Sequence, residues 1–263
     1  MIQSLGSIFL LISILIILIL EKNYFFNFFL IIRLLWKIGF PPFHFWLFRL
    51  IEELNWFIFF ILSSWQKILP LYIINKIYFF GWDYIIILAL IFCVTGVVIQ
   101  SRIKKLIIFS SIFTGSWIIS SIIYFKIIWI FLLFIYRIIL FFFIIFIVMN
   151  KQFIKENENY FLFNQVEKFY IFFLLLRVAG VPPFLGFFIK ISVIFILILY
   201  KKIFLSFFLV ISSIIIIFIY RRIFLNSLII LSSNNKIIIF YKNYNLFFLI
   251  LIFLIGPIIF FVI

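Results

Sequence analysis

The sequence predicts an all-α polytopic membrane protein of about nine transmembrane helices, two of them broken. Three observations carry this. The 263 residues are 69% hydrophobic with a mean hydropathy of +1.44, more apolar surface than a soluble domain of this length tolerates. The apolar runs are about a bilayer long and are separated by short polar punctuation. Two of the runs contain near-copies of one motif, Gly39-Phe40-Pro41-Pro42-Phe43 and, 141 positions later, Gly180-Val181-Pro182-Pro183-Phe184.

The elements follow in order. A first helix over about 2–20 is closed by Glu21-Lys22-Asn23. Helix two, about 25–46, carries Arg33, Lys37, the first Pro-Pro and His44, and a loop with Arg49, Glu52 and Glu53 follows. Helix three, about 56–78, has Trp65-Gln66-Lys67 at its middle and Pro70 one turn on. Helix four, about 84–100, and helix five, about 106–123, are joined by a basic loop with Arg102, Lys104 and Lys105. Helix six, about 128–149, centres on Tyr136-Arg137. The polar stretch 150–168 reads as a loop. Helix seven, about 169–199, contains the second break, helix eight covers about 203–220, a polar loop runs to 245, and helix nine ends the chain. The chain is one transmembrane domain: a first-repeat part over about 1–78, a second-repeat part over about 84–220 and a terminal helix at 244–263.

Proline removes a backbone donor and clashes with the preceding turn, so each Pro-Pro run must break. Carbonyls freed in hydrocarbon cost several kcal/mol each unless they line a protein-walled cavity. Broken helices at corresponding places in two halves point to a transport site. Lys37 stands just before the first break and Lys190 just after the second.

The net charge of +15 would suggest nucleic acid in a soluble protein. Here the basic residues punctuate apolar runs, so lipid headgroups and the positive-inside rule account for them, and no nucleic-acid partner is expected. The loops after helices two, four, six and eight carry 11 Lys and Arg against 5 on the other side, which places the N-terminus in the compartment of synthesis and the C-terminus outside. No basic n-region or cleavage site precedes the first helix, so no removable signal is expected. Cys93, the single cysteine, excludes a disulfide framework and a cysteine-ligated cluster. Abundant Phe and Ile beside only two Met hint at an organelle gene.

Six cations fall at membrane depth: Arg33, Lys37, Lys67, Arg137, Arg177 and Lys190. A cation in a helix centre costs about 2.5–3.5 kcal/mol on insertion scales, so each needs a reason. All seven carboxylates fall in or beside loops. Either the lysines are neutral and line a wet path, or carboxylates come from another polypeptide; snorkelling to the headgroups is the bland reading. Arginine stays charged, so Arg137 and Arg177 are expected to pair with another subunit. Arg33 shares a helix face with Lys37 and would repel it. His44 beside the first break serves either packing or proton relay. No second histidine or cysteine accompanies it, so no metal site is expected. No nucleophile triad, phosphate-cradling loop or dinucleotide fingerprint appears, so no cofactor is expected to bind this chain.

Four segments carry a resemblance. Lys37-Ile38-Gly39-Phe40-Pro41-Pro42-Phe43-His44-Phe45-Trp46 resembles the Lys-x-Gly-x-x-Pro-Phe-His-x-Trp signature of the antiporter-like subunits of respiratory complex I. Trp65-Gln66-Lys67-Ile68-Leu69-Pro70 is similar to the Trp-Gln-Lys-x-x-Pro of the NADH dehydrogenase subunit 2 branch, at the same spacing of 30 between the lysines. The stretch from Arg102 to Ile118 and the Gly180–Lys190 segment resemble that branch as well. The resemblance implies an antiporter-like inverted-repeat fold and proton translocation in the membrane arm, with Lys37, Lys67, Lys190 and His44 on the path and Gly39, Pro41, Pro42, Gly180, Pro182 and Pro183 forming the helix breaks. It implies a multi-pass place in the mitochondrial inner membrane, with FMN, iron–sulfur clusters and ubiquinone bound by other subunits. The family pairs the lysine at the position of Lys37 with a glutamate two helices before the counterpart of residues 1–18. The expectation is a split subunit, with a separate polypeptide supplying two helices and the glutamate; the alternative is a chain that has lost the pair. Two other functions stay open: a stand-alone cation/proton antiporter, and a scaffold that no longer pumps. Phe48-Arg49 replaces the family's usual Pro-Glu.

Overall fold

The computed structural model describes residues 6–8, 11–13, 24–77, 79, 81–100, 102–125, 128–149, 165–182 and 184–233. Ten helices order the main part: α1 (Tyr24–Ile38), α2 (Phe45–Glu53), α3 (Trp56–Ser64), α4 (Ile68–Ile74), α5 (Trp82–Ile99), α6 (Ile103–Tyr124), α7 (Ile128–Met149), α8 (Gln165–Ala179), α9 (Leu185–Leu199) and α10 (Ile203–Ser233). The described residues of the first expected helix are helical too. Among the described residues five spans are long and apolar enough to cross a membrane: Trp56–Ile74, Trp82–Ile99, Ile103–Tyr124, Ile128–Val148 and Ile203–Asn226, with Gly186–Leu199 a shorter apolar helix. The ninth expected helix, the 150–164 stretch, Glu21 and Pro183 lie outside the described residues.

Helix α6 is the spine. Within its apolar window 89% of residues are buried, against 33–50% in the other four spans. It packs on α2, α5, α7, α8 and α9. It is also the most hydroxyl-rich helix, and each hydroxyl must be satisfied away from water. They bond back onto their own helix: Ser110 donates to the Ile107 carbonyl at 2.7 Å, Ser111 to Ile108 at 2.7 Å, Ser120 to Trp117 at 2.8 Å and Ser121 to Ile118 at 2.7 Å. Small residues of this kind let neighbouring helices approach. A Cβ on Gly115 would stand 3.2 Å from the ring of Phe40, the residue that the first break presses onto α6.

Both Pro-Pro runs break the helix by the same device. At the first, Phe40 N–H donates to the Leu35 carbonyl and Gly39 N–H to Trp36, both at 3.0 Å. At the second, Val181 N–H donates to Leu176 at 3.3 Å and Gly180 N–H to Arg177 at 3.2 Å. These crossed bonds close a helix when the residue after its last turn adopts the left-handed region, and Gly39 (φ +72°) and Gly180 (φ +84°) do so. The bonds Phe43 N–H to Phe40 and Phe184 N–H to Val181 repeat the pattern at the same offset. The two breaks thus share one hydrogen-bond pattern.

Several boundaries differ from the sequence reading. Arg49, Glu52 and Glu53 belong to α2 rather than to a loop, because the helix resumes at once after the proline turn. The third span is interrupted by a 3-10 turn at Trp65–Lys67. Pro70 has no N–H for the Gln66 carbonyl and its ring crowds that turn, so the helix tightens there. Lys104 is buried rather than looped: its ammonium donates to the Leu54 carbonyl at the end of α2 (2.9 Å) and lies 5.1 Å above the Trp56 ring. Lys168, expected in a loop, is buried on α8. The stretch 221–233 continues α10, whose 31 residues span about 46 Å at 1.5 Å per residue, longer than the ~30 Å hydrocarbon core. Arg221 and Arg222 are exposed on its outer part.

Candidate functional site

The site begins at the second break. Ending α8 at Gly180 leaves the Val178 and Ala179 carbonyls without helical partners. Lys190, on α9 and 6% exposed, reaches back across the break, and its Nζ donates to Val178 O at 2.8 Å and Ala179 O at 2.6 Å. The same nitrogen lies 4.6 Å above the Phe113 ring and 5.3 Å above Trp117, both on α6. This cradle suits both charge states. A neutral amine has two N–H groups, and the two carbonyls take them; an ammonium has a third proton, which meets the negative faces of the two rings. Gly180 makes room for it, since a Cβ there would stand 2.8 Å from Cδ and 3.0 Å from Nζ of Lys190.

Lys67 sits in the 3-10 turn, half-buried, and lines a cavity with Ser63, Ser64, Ser111, Tyr136 and Arg137. Lys190 lines a second cavity with Thr114, Trp117, Tyr136, Arg177 and Gly186. Each lysine therefore shares its cavity with an arginine. Arg137 lies 5.4 Å above the Trp65 ring and Arg177 5.3 Å above Phe184. Arg137 Nε and Nη2 are buried and unpaired among the described residues. Aromatic faces thus supply part of the stabilisation that carboxylates would give. Asp83, the one carboxylate whose side chain is described, is engaged elsewhere, accepting from Tyr124 at 2.6 Å and Lys202 at 2.8 Å.

The first break places the other expected residues differently. Lys37 stands half-buried on the last turn of α1 and lines neither cavity. The Trp46 indole donates to the Trp36 carbonyl at 3.0 Å, so a side chain bridges this break as Lys190 bridges the other. His44 is 3% exposed, with its ring centre 3.8 Å from Phe92 and 4.1 Å from Phe45, and it too lines neither cavity. Pro41, Pro42 and Pro182 form the turns, with the Pro41–Pro42 bond cis. Sequence reasoning placed Tyr136 at a helix centre without a role, and the structure puts it in the wall of both lysine cavities. A lone tyrosine among many aromatics gave no signal.

The model of a family described as "NADH:quinone oxidoreductase/Mrp antiporter, TM" matches residues 1–216. The chain belongs to that family. Among NADH:quinone oxidoreductase/Mrp antiporter proteins it is similar to NADH-ubiquinone oxidoreductase chain 2 of Anopheles gambiae, with 33% identity over 200 residues, 73% of this chain and 59% of that one. The same chain of Aedes aegypti is 34% identical over 162 residues, 60% and 47% of the two chains, and that of Artemia franciscana 33% over 195 residues, 72% and 61%. The matched part thus spans about half to three-fifths of the length of these relatives. A solved structure of the Mrp complex from Dietzia sp. DQ12-45-1b superposes with a TM-score of 0.73 at 17% identity, covering 84% of this chain and 48% of that one, which shows a shared fold.

Proposed function

We propose that the chain is an antiporter-like subunit of chain 2 type in the membrane arm of NADH:ubiquinone oxidoreductase, and that it carries protons through Lys67 and Lys190, with Lys37 at the first break. The observation that carries the reading is the Lys190 cradle, because a group that loses and regains a proton must be held in both states without rearranging the helices around it. The seat in the mitochondrial inner membrane is supported by the names of the animal relatives. FMN, iron–sulfur clusters and ubiquinone belong, in this reading, to other subunits, so NADH oxidation is done elsewhere and this chain supplies the proton step. Lys37 lies apart from both cavities, and its counter-charge comes from a carboxylate of a neighbouring polypeptide.

Purification of the tagged chain from native membranes in mild detergent tests the assignment. Flavin and rotenone-sensitive NADH:ubiquinone activity should co-purify with it. A flavin-free preparation that exchanges cations for protons by itself in liposomes would refute the complex I assignment in favour of an independent antiporter.

A further inference from the structure

The two lysine cavities share a wall. Thr114 and Ile118 of α6 and Tyr136 of α7 line both, so whatever passes from the Lys67 side to the Lys190 side passes these three residues. Ile118 offers no exchangeable proton. Thr114 has its O–H committed, donating to the carbonyls of Ser110 (3.0 Å) and Ser111 (3.2 Å) on its own helix. Tyr136 is different. It is 5% exposed, and its buried hydroxyl stands beside the hydroxyls of Ser111 and Thr114. Both donate into α6, so towards Tyr136 they can only accept, and the phenolic oxygen keeps its own lone pairs. A buried hydroxyl in the wall of both cavities, with lone pairs that neither neighbour uses, can receive a proton on one side and give one up on the other.

Resting on the proton-carrying reading above, we infer that the Tyr136 hydroxyl is the proton-passing group between the Lys67 and Lys190 cavities. A proton released by the Lys67 ammonium, carried by water in the first cavity, is taken up on a lone pair of the phenolic oxygen. The original phenolic proton leaves from the same oxygen on the other side and reaches the neutral amine of Lys190. One O–H bond forms and one breaks, Tyr136 ends neutral, Lys67 ends as the amine and Lys190 as the ammonium, and no oxidant or reductant takes part. A hydroxyl does this because it accepts and donates at one atom. The arginines, one in each cavity, hold fixed positive charge and have no lone pair to offer, so they cannot substitute for it.

The test is made in inner-membrane vesicles bearing the intact assembly, reading protons moved per NADH oxidised. Tyr136→Phe keeps the ring and removes one oxygen, so assembly should be retained, and a variant that fails to assemble overturns the premise. Tyr136→Phe is expected to lower the proton yield to the level of Lys190→Ala, and Tyr136→His, which again accepts and donates, to restore it. An unchanged yield in Tyr136→Phe alongside a lowered yield in Lys190→Ala overturns the link while leaving the wider reading standing. A loss in both the Phe and the His variants assigns Tyr136 a packing role and also overturns it. Unchanged yields in Lys67→Ala and Lys190→Ala refute the proton-carrying reading itself, and the link with it.

Discussion

At the scale of single residues, the chain handles intramembrane cations with carbonyls and ring faces. Lys190 meets two carbonyls and two rings, Lys104 a carbonyl and a ring among its contacts, and Arg137 and Arg177 a ring each. A chain with 45 Phe and 7 Trp has such faces to offer at every level of the bundle. Gly180 is the point where this arrangement is most exposed to change. An alanine there would hold a left-handed backbone, costing about 1–2 kcal/mol, and would push its Cβ into the Lys190 stem. Gly180→Ala is therefore expected to lower the thermal midpoint of the purified assembly and to reduce its proton yield; a yield that stays at the wild-type level would show that the Lys190 seat does not matter. Much of this was legible beforehand. Lys37, Lys67 and Lys190 stand out because a charge in an apolar run is conspicuous. Tyr136 does not, because its significance lies in which two cavities it separates, and that depends on how α6 and α7 meet.

Elements show where sequence patterns ran out. Both broken helices were legible because Pro-Pro in an apolar run admits no continuous helix, and the glycines before them mark the stop. The 3-10 turn at Trp65–Lys67 was not, although Pro70 supplies its cause. The outer part of α10 misled in the opposite sense: Arg221, Arg222 and Asn226 look like a loop, yet a helix leaving the bilayer can carry polar residues because its backbone satisfies itself. Amide exchange is expected to show protection through residues 221–226 comparable to 203–220, and fast exchange beginning at Arg221 would contradict the continuous helix. On α6, Gly115→Val should displace Phe40 and loosen the docking of the first break. The expected loss is about 1–3 kcal/mol, in the range of overpacked cores, read as reduced assembly on a native gel. An unchanged assembly level would mean that Phe40 swings away freely.

For the whole molecule, α6 joins the two segments that carry the Gly-x-Pro-Pro-Phe breaks. The first break docks on it through Phe40 and the second through Lys190, so both breaks face a common wall. Around this wall the Asp83–Lys202 pair ties the start of α5 to the turn before α10. With side chains 41% and 23% exposed for Lys202 and Asp83, the pair contributes at most about 1 kcal/mol. Asp83→Asn is accordingly expected to shift the thermal midpoint of the purified assembly little and to leave proton yield intact; a large loss of assembly would show that the pair is structurally decisive. In the proposed function Lys190 takes up and releases protons at the second break. It is tested most directly by the protons moved per NADH in vesicles bearing the Lys190→Ala assembly. A lower yield with NADH oxidation and assembly retained is expected, and a wild-type yield in a fully assembled variant would contradict the proton role of Lys190.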